Sequence, residues 1–183
     1  MNGSSGPDIL CTTLKDERIA VVRLSGRGNM FNAPALRSFA ELLERRGGGY
    51  RFIIDVTAAD MLDSTFLGVL SDIAIDQMRA RVGKPVLVNP SEKVHRNLRT
   101  LGLLNMVEAR DCSDTYTNGA IKRAEGTLEA HAAGPMSRID HICLVLRAHQ
   151  NLVELDENNR LEFQPMIDCL ERSLENERAG KPS

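Results

Sequence analysis

The chain has 183 residues, of which 42% are hydrophobic and 26% charged, with a formal net charge of -2. This length suits one ordinary domain, or a domain of roughly a hundred residues with an appendage, and the composition excludes wholesale disorder and collagen-like structure. A balanced charge with five Phe, two Tyr and no Trp offers neither the basic footprint nor the stacking surface of a nucleic-acid-binding protein.

In chain order, residues 1–7 read as a flexible lead-in without the basic and apolar regions of a secretory signal. Residues 9–14 and 18–24 are two runs rich in Ile, Leu and Val, separated at Lys15-Asp16-Glu17, and predict an opening antiparallel pair. Beyond Ser25-Gly26, Asn32 and Pro34 mark a helix start; Leu36, Phe39, Ala40 and Leu43 follow at helical spacing, and Gly47-Gly48-Gly49 ends the helix. Phe52-Ile53-Ile54-Asp55-Val56 has the pattern of a central strand covered on both faces.

Residues 59–65 then read as a connection into a well-buried helix carrying Phe66, Val69, Leu70, Ile73, Ala74 and Met78. Residues 85–88 predict another buried strand, and Asn89-Pro90-Ser91-Glu92 reads as an N-cap, a Pro at the first position and a Glu at the third. A helix through Val94, Leu98 and Leu101 runs to Gly102, residues 104–109 form a last strand, and Ser113 or Asp114 caps a helix carrying Ala120, Ile121 and Ala124.

This alternation predicts an α/β domain over residues 8–126: a mixed sheet with an antiparallel opening pair, then parallel strands joined by right-handed helical crossovers. Residues 127–136, with Gly134-Pro135, read as a linker. Residues 137–178 read as a C-terminal αα-hairpin, opened by Ser137 with Asp140 three residues later. One apolar stripe runs from Ile139 through Ile142, Cys143 and Leu146 to residues 152–155; after a turn at residues 156–159 another carries Met166, Ile167, Leu170 and Leu174. Such stripes are buried somewhere, against another face of the chain or in a homodimer contact. Residues 179–183 read as a flexible end.

No apolar run reaches the roughly 18–20 residues of a membrane-spanning helix, so no membrane association is expected. Cys11, Cys112, Cys143 and Cys169 form no CxxC pair, which points to reduced thiols in a cytoplasmic protein without metal or cofactor.

The sharpest local feature is Asp63-Ser64-Thr65 before the most apolar helix. Ser64 reads as an N-cap, or as a surface hydroxyl at the positive end of a helix dipole, where an attached phosphate is electrostatically tolerated. Phosphate beside Asp60 and Asp63 would turn that surface strongly acidic and alter which partner docks there. Leu62-Asp63-Ser64-Thr65-Phe66 lacks the Gly-x-Ser-x-Gly spacing of a nucleophile elbow. The four histidines, His95, His131, His141 and His149, lie far from Ser64 in sequence, so no Ser-His pairing and no catalytic residue is expected. Asp55 reads as a strand-end carboxylate serving structure, and Lys93, Arg96 and Arg99 as a solvated basic face.

With Phe52-Ile53-Ile54-Asp55-Val56, then residues 62–70, then Val86-Leu87-Val88-Asn89-Pro90-Ser91 leading to Leu101-Gly102-Leu103, the chain resembles the STAS domain family over residues 8–126, in particular the bacterial anti-sigma-factor antagonists. The resemblance implies a non-enzymatic partner switch. An anti-sigma-factor serine kinase phosphorylates the serine after the aspartate, and a PP2C-type phosphatase restores it. The unphosphorylated protein captures the anti-sigma factor and frees a sigma factor. By that resemblance Ser64 is the phosphorylated residue, with Thr65 next in line. The docking face comprises Asn29, Met30, Phe31 and Asn32 with Asp63, Thr65, Phe66 and Leu67. Thr65 and Phe66 replace the Ser and Gly common in the family motif, and Asn29 stands where an aspartate is usual. The alternative is a constitutive STAS adaptor that holds a transporter or signalling assembly without phosphate cycling. The hairpin lies outside the resemblance.

Overall fold

A computed structural model of the chain describes residues 8–111 and 113–179. The expectations for residues 1–7, Cys112 and residues 180–183 fall outside it. Strands β1 (Ile9–Leu14) and β2 (Ile19–Gly28) form the expected antiparallel pair, joined by a short 3-10 turn that Arg18 closes at φ 54°. β2 then pairs in parallel with β3 (Arg51–Leu62), β3 with β4 (Val86–Val88), and β4 with β5 (Glu108–Arg110).

Helices α1 (Ala33–Arg45), α2 (Ser64–Arg79) and α3 (Glu92–Thr100) make the crossovers. Each crossover steps one strand in the same direction, so right-handed connections place all three helices on one face of the sheet. The side chains follow the strand period of two. Ala20, Val22, Phe52 and Ile54 join Leu36, Phe39, Phe66, Leu70 and Leu98 on that face. Ile19, Val21 and Ile53 point to the other face, against Ala120 and Ala124 of α4 (Thr115–Ala124). Four of the parallel-sheet residues, Val21, Val22, Ile53 and Ile54, are 0% exposed, which is why these strands read as unbroken apolar runs.

The chain departs from the sequence reading at several places. After α4 it crosses the sheet to the far edge, where β6 (Glu129–Ala130) pairs antiparallel with β1 and completes the order β5-β4-β3-β2-β1-β6. A two-residue strand carries no periodicity, so residues 127–136 looked like a linker; the free edge of β1 supplies the unpaired N–H and C=O groups that recruit it. His131 extends this seam, donating its N–H to Ile9 and setting its ring 2.8 Å from Ser38 Oγ and edge-on to Phe39.

β3 also continues to Leu62, six residues past the apolar run, because β2 stays paired with it as far as Gly28. Ser91, not Asn89, caps α3, accepting from Val94 N–H; Asn89 instead takes a left-handed turn at φ 53°. The expected strand at residues 104–109 begins as a 3-10 turn and pairs only at β5.

The hairpin forms as α5 (Arg138–Leu155) and α6 (Arg160–Arg178), and Ser137 with Asp140 makes the reciprocal capping box that their spacing predicted. Much of its apolar surface is buried on the hairpin's own chain, although Met166 of the second stripe is 38% exposed. Leu146, Leu152, Val153, Phe163 and Ile167 join the core cluster of α1, α2 and α3, leaving α2 between the sheet and α5. Two features allow this seating. Gly68 on α2 has no side chain where a Cβ would stand 2.3 Å from the Ala148 carbonyl oxygen. Asp72 on α2, 5% exposed, accepts from Arg37 on α1 and from Arg147 and Asn151 on α5. At the far end of α5, Asn159 donates its amide to Leu152 and Leu101 carbonyls and ties the hairpin turn to the end of α3.

Burial pushes the Cys11 thiol up to about 12, so little thiolate exists near neutrality. Iodoacetamide at pH 8 is expected to modify exposed Cys169 in the folded protein and Cys11 only after denaturation, read by peptide mass mapping.

Burial also lowers the His131 pKa from the ordinary imidazole value, so the fold favours its neutral form. The unfolded chain binds the extra proton, and the contribution is complete above the ordinary imidazole range and falls away as pH drops through it. Stability measured by urea unfolding is expected to depend less on pH between 7.5 and 5.5 in His131→Phe than in the parent chain.

Candidate functional site

The site forms where β2 and β3 end side by side. Asp63 donates its N–H to the Gly28 carbonyl at 2.8 Å, closing the ladder, and the chain then turns directly into α2. Asp63, rather than Ser64, is the N-cap: its Oδ1 accepts from Phe66 N–H at 2.9 Å while Oδ2 accepts from Met30 N–H at 3.2 Å. One carboxylate therefore joins the start of α2 to the loop between β2 and α1. Gly28 is required beneath it, since a Cβ there would stand 2.5 Å from Leu62 Cδ2 and 3.0 Å from the Phe66 ring.

The loop is stiffened by its own amides. Asn32 Oδ1 accepts from Asn29 N–H at 2.8 Å, Asn32 Nδ2 donates to the Arg27 carbonyl at 2.6 Å, and Asn29 Oδ1 accepts from Phe31 N–H at 2.9 Å. With Asn32 thus occupied, α1 begins without a side-chain cap bond. The loop's tip presents Phe31, 79% exposed.

Ser64 is the first residue of α2, partly covered, with its main chain at the positive end of the helix dipole. Its Oγ lies 2.9 Å from Nε2 of His149 on α5. His149 Nδ1 is 2.7 Å from the Val145 carbonyl, which can only accept, so Nδ1 carries the ring proton. In the neutral ring Nε2 is then the acceptor, and the Ser64 hydroxyl donates to it. His149 is 1% exposed, with its ring edge-on to Phe163 at 5.1 Å.

No local pattern points to this pairing, because the partners lie 85 residues apart in the chain. The expectation that no histidine meets Ser64 is overturned by the packing of α5 on α2. The pair has the hydroxyl-to-imidazole geometry of an activated nucleophile, but a main-chain carbonyl orients the ring in place of a carboxylate.

The expected docking residues separate into two groups. Asn29, Met30, Asp63 and Ser64 are partly exposed and Phe31 stands out, whereas Asn32, Thr65, Phe66 and Leu67 are buried, at 8%, 5%, 0% and 0% exposure. The helix start is therefore largely covered on its Thr65, Phe66 and Leu67 side, where Phe66 and Leu67 join the core cluster. Of the positions that carry the apolar pattern of α2, Phe66, Val69, Leu70, Ile73 and Ala74 are buried, whereas Met78 is 47% exposed.

Elsewhere, Asp55 accepts from Arg23 Nε and from Thr57 N–H and Oγ1, a strand-end carboxylate satisfied within the fold. Lys93, Arg96 and Arg99 lie on the exposed side of α3, with Arg96 facing Glu92 at 3.5 Å. Among the described residues no group of His, Cys, Asp and Glu is arranged to hold a metal ion, and no helix is long and apolar enough to cross a membrane.

The STAS domain family matches residues 12–118 of the chain, from β1 into α4. The chain belongs to that family. No curated protein matches it. Among solved structures, the NMR structure of TM1081 from Thermotoga maritima is 18% identical with a TM-score of 0.50, covering 68% of this chain and 94% of that one. The unphosphorylated anti-sigma factor antagonist SpoIIAA is 18% identical with a TM-score of 0.48, covering 64% and 98%. The phosphorylated Bacillus SpoIIAA is 19% identical with a TM-score of 0.49, covering 64% and 99%. At these identities the likeness is one of fold, and the family match itself ends at residue 118, before the helical hairpin.

Asp63→Ala is expected to lower stability by about 1–2 kcal/mol, as loss of an N-cap does. Asp63→Asn keeps the cap but turns an amide N–H toward Met30 N–H, so its cost falls between. Urea unfolding of both variants, compared with the parent chain, measures the difference.

Proposed function

We propose that the protein is an anti-sigma-factor antagonist: a binding protein, not an enzyme, that captures an anti-sigma-factor serine kinase while Ser64 carries no phosphate. The observation that carries this reading is the position of Ser64, first residue of α2 directly after the Asp63 cap, inside a chain that belongs to the STAS family. A phosphate there meets the positive end of the helix dipole, which tolerates it, and the Asp63 carboxylate beside it, which makes the local surface strongly acidic. A docked partner loses affinity through repulsion and desolvation without any change of fold.

The loop of Asn29, Met30 and Phe31, held to Asp63 through Met30 N–H, supplies the neighbouring part of the docking face. Phe31, exposed and on a stiff loop, is the anchor such an interface uses. A PP2C-type phosphatase would reset the switch, and the work would take place in the cytoplasm.

A second reading has two observations in its favour. The Ser64 hydroxyl is already engaged by His149, and Thr65, Phe66 and Leu67 are buried, as suits a constitutive adaptor that never cycles through phosphate.

Capture of partners from the native host with Ser64→Ala and Ser64→Asp, together with mass spectrometry of the Ser64 peptide, separates the two. Partner switching is expected to give a phosphorylated Ser64 peptide and at least a tenfold weaker capture by Ser64→Asp, about 1.4 kcal/mol. Equal capture by both variants, with no phosphate on Ser64, establishes the adaptor. Phe31→Ala is expected to weaken capture in either case and to leave the urea midpoint unchanged.

A further inference from the structure

The α5–α6 hairpin occupies the face of α2 that the switch would use. Three contacts along two turns of α2 set it there: Ser64 to His149, Gly68 against Ala148, and Asp72 to Arg147 and Asn151. The first of these consumes the hydroxyl that would take the phosphate. Its acceptor, His149, sits at 1% exposure with its second nitrogen committed to the Val145 carbonyl, so the ring cannot turn to serve a different group without breaking that bond.

We propose that the hairpin is a tethered cover on the Ser64 end of α2, and that negative charge on Ser64 and docking of the hairpin exclude one another. This rests on the reading of Ser64 as the switching residue. In the docked form the Ser64 hydroxyl is a donor to a lone pair. A phosphoserine has no such proton in its dianionic form: its oxygens would face the Nε2 lone pair of the neutral ring, and its charge would add to that of Asp63, the preceding residue. One turn along α2 the two helices approach so closely that a Cβ on Gly68 would stand 2.3 Å from the Ala148 carbonyl oxygen.

Phosphorylation therefore requires the hairpin to have lifted. The γ-phosphoryl group passes from a nucleoside triphosphate to Ser64 Oγ, the bond to the bridging oxygen breaks to leave the diphosphate, and the hydroxyl proton passes to a base of the kinase. Once present, the phosphate holds the hairpin away, and the apolar stripe of α5 that packs on α2 becomes available. The same geometry makes the hairpin a competitor, within the chain, of any partner that docks on the start of α2.

The coupling can be measured on the full chain without a kinase or partner, by hydrogen-deuterium exchange with mass spectrometry. Four versions are compared with the parent: Ser64→Glu, phosphoserine incorporated at position 64 during translation, Ser64→Ala, and Gly68→Ala. The last wedges a methyl group into the Ala148 carbonyl and sets the scale of an opened hairpin. Ser64→Glu, the phosphoserine form and Gly68→Ala are expected to speed exchange of α5 and α6 amides at least tenfold, while β2 and β3 amides stay as slow as in the parent. Ser64→Ala, which loses one hydrogen bond and adds no charge, is expected to change them less than threefold.

Unchanged or slower exchange of α5 and α6 in both charged forms overturns the proposal, as does an effect of Ser64→Ala equal to that of charge, or a Gly68→Ala chain whose hairpin stays closed. Because neither kinase nor partner enters the measurement, a negative result here leaves the partner-switching reading to its own capture experiment, and failure of that experiment leaves the coupling intact.

Discussion

The Asp63 carboxylate is the point on which the site is built. Its two oxygens bind N–H groups from two different segments, Phe66 in the first turn of α2 and Met30 in the loop after β2. A carboxylate accepting main-chain N–H bonds at a helix start satisfies donors that have no partner within the helix and places its charge where the dipole favours it. The next residue, Ser64, is therefore delivered at a fixed place and angle. Its hydroxyl is free of capping duty and available to another group. The bond that Ser64 does make, to His149, is a consequence of where Asp63 ends the strand.

Apolar packing and polar contacts divide the work of holding the hairpin. Burying side chains of the size of Leu146, Leu152, Val153, Phe163 and Ile167 is worth about 1.5–3 kcal/mol each before the entropy of ordering two helices is subtracted. The Ser64 to His149 bond adds on the order of 1 kcal/mol net. Hydrophobic burial thus decides that the hairpin docks, and the hydrogen bond decides little of the total. Charge at the same spot is a different matter, because removing an ionised group from water without a partner costs several kcal/mol. Asp72 shows how the fold meets that cost elsewhere: it is surrounded by Arg37, Arg147 and Asn151. Ser64 has no such surroundings: the side chain bonded to its hydroxyl is His149.

Most of the sheet and its crossover helices could be read from the residues, because parallel strands buried on both faces produce unbroken apolar runs and the helices between them keep a period near 3.6. The hairpin could be read for the same reason, through its capping box and its two stripes. What could not be read was of two kinds. β6 is two residues long and owes its existence to the edge of β1 rather than to its own composition. The caps were misassigned where several candidates stood together, Asp63 beside Ser64 and Asn89 beside Ser91, since each residue type can cap and the backbone angle at one position decides.

The residue pattern carries the order of the elements apart from β6, the family resemblance, the apolar faces of α2 and of the hairpin, and an Asp-Ser pair at a helix start. These are properties of local propensity and periodicity, written within windows of a dozen or so residues. Only the tertiary structure decided that the hairpin's stripe and the second face of α2 answer each other, that Thr65, Phe66 and Leu67 are covered, and that Ser64 meets His149 across 85 positions of chain. Part of that fit is shape, the missing Cβ of Gly68 beneath the Ala148 carbonyl, and a close approach between distant segments leaves no periodic trace in either of them.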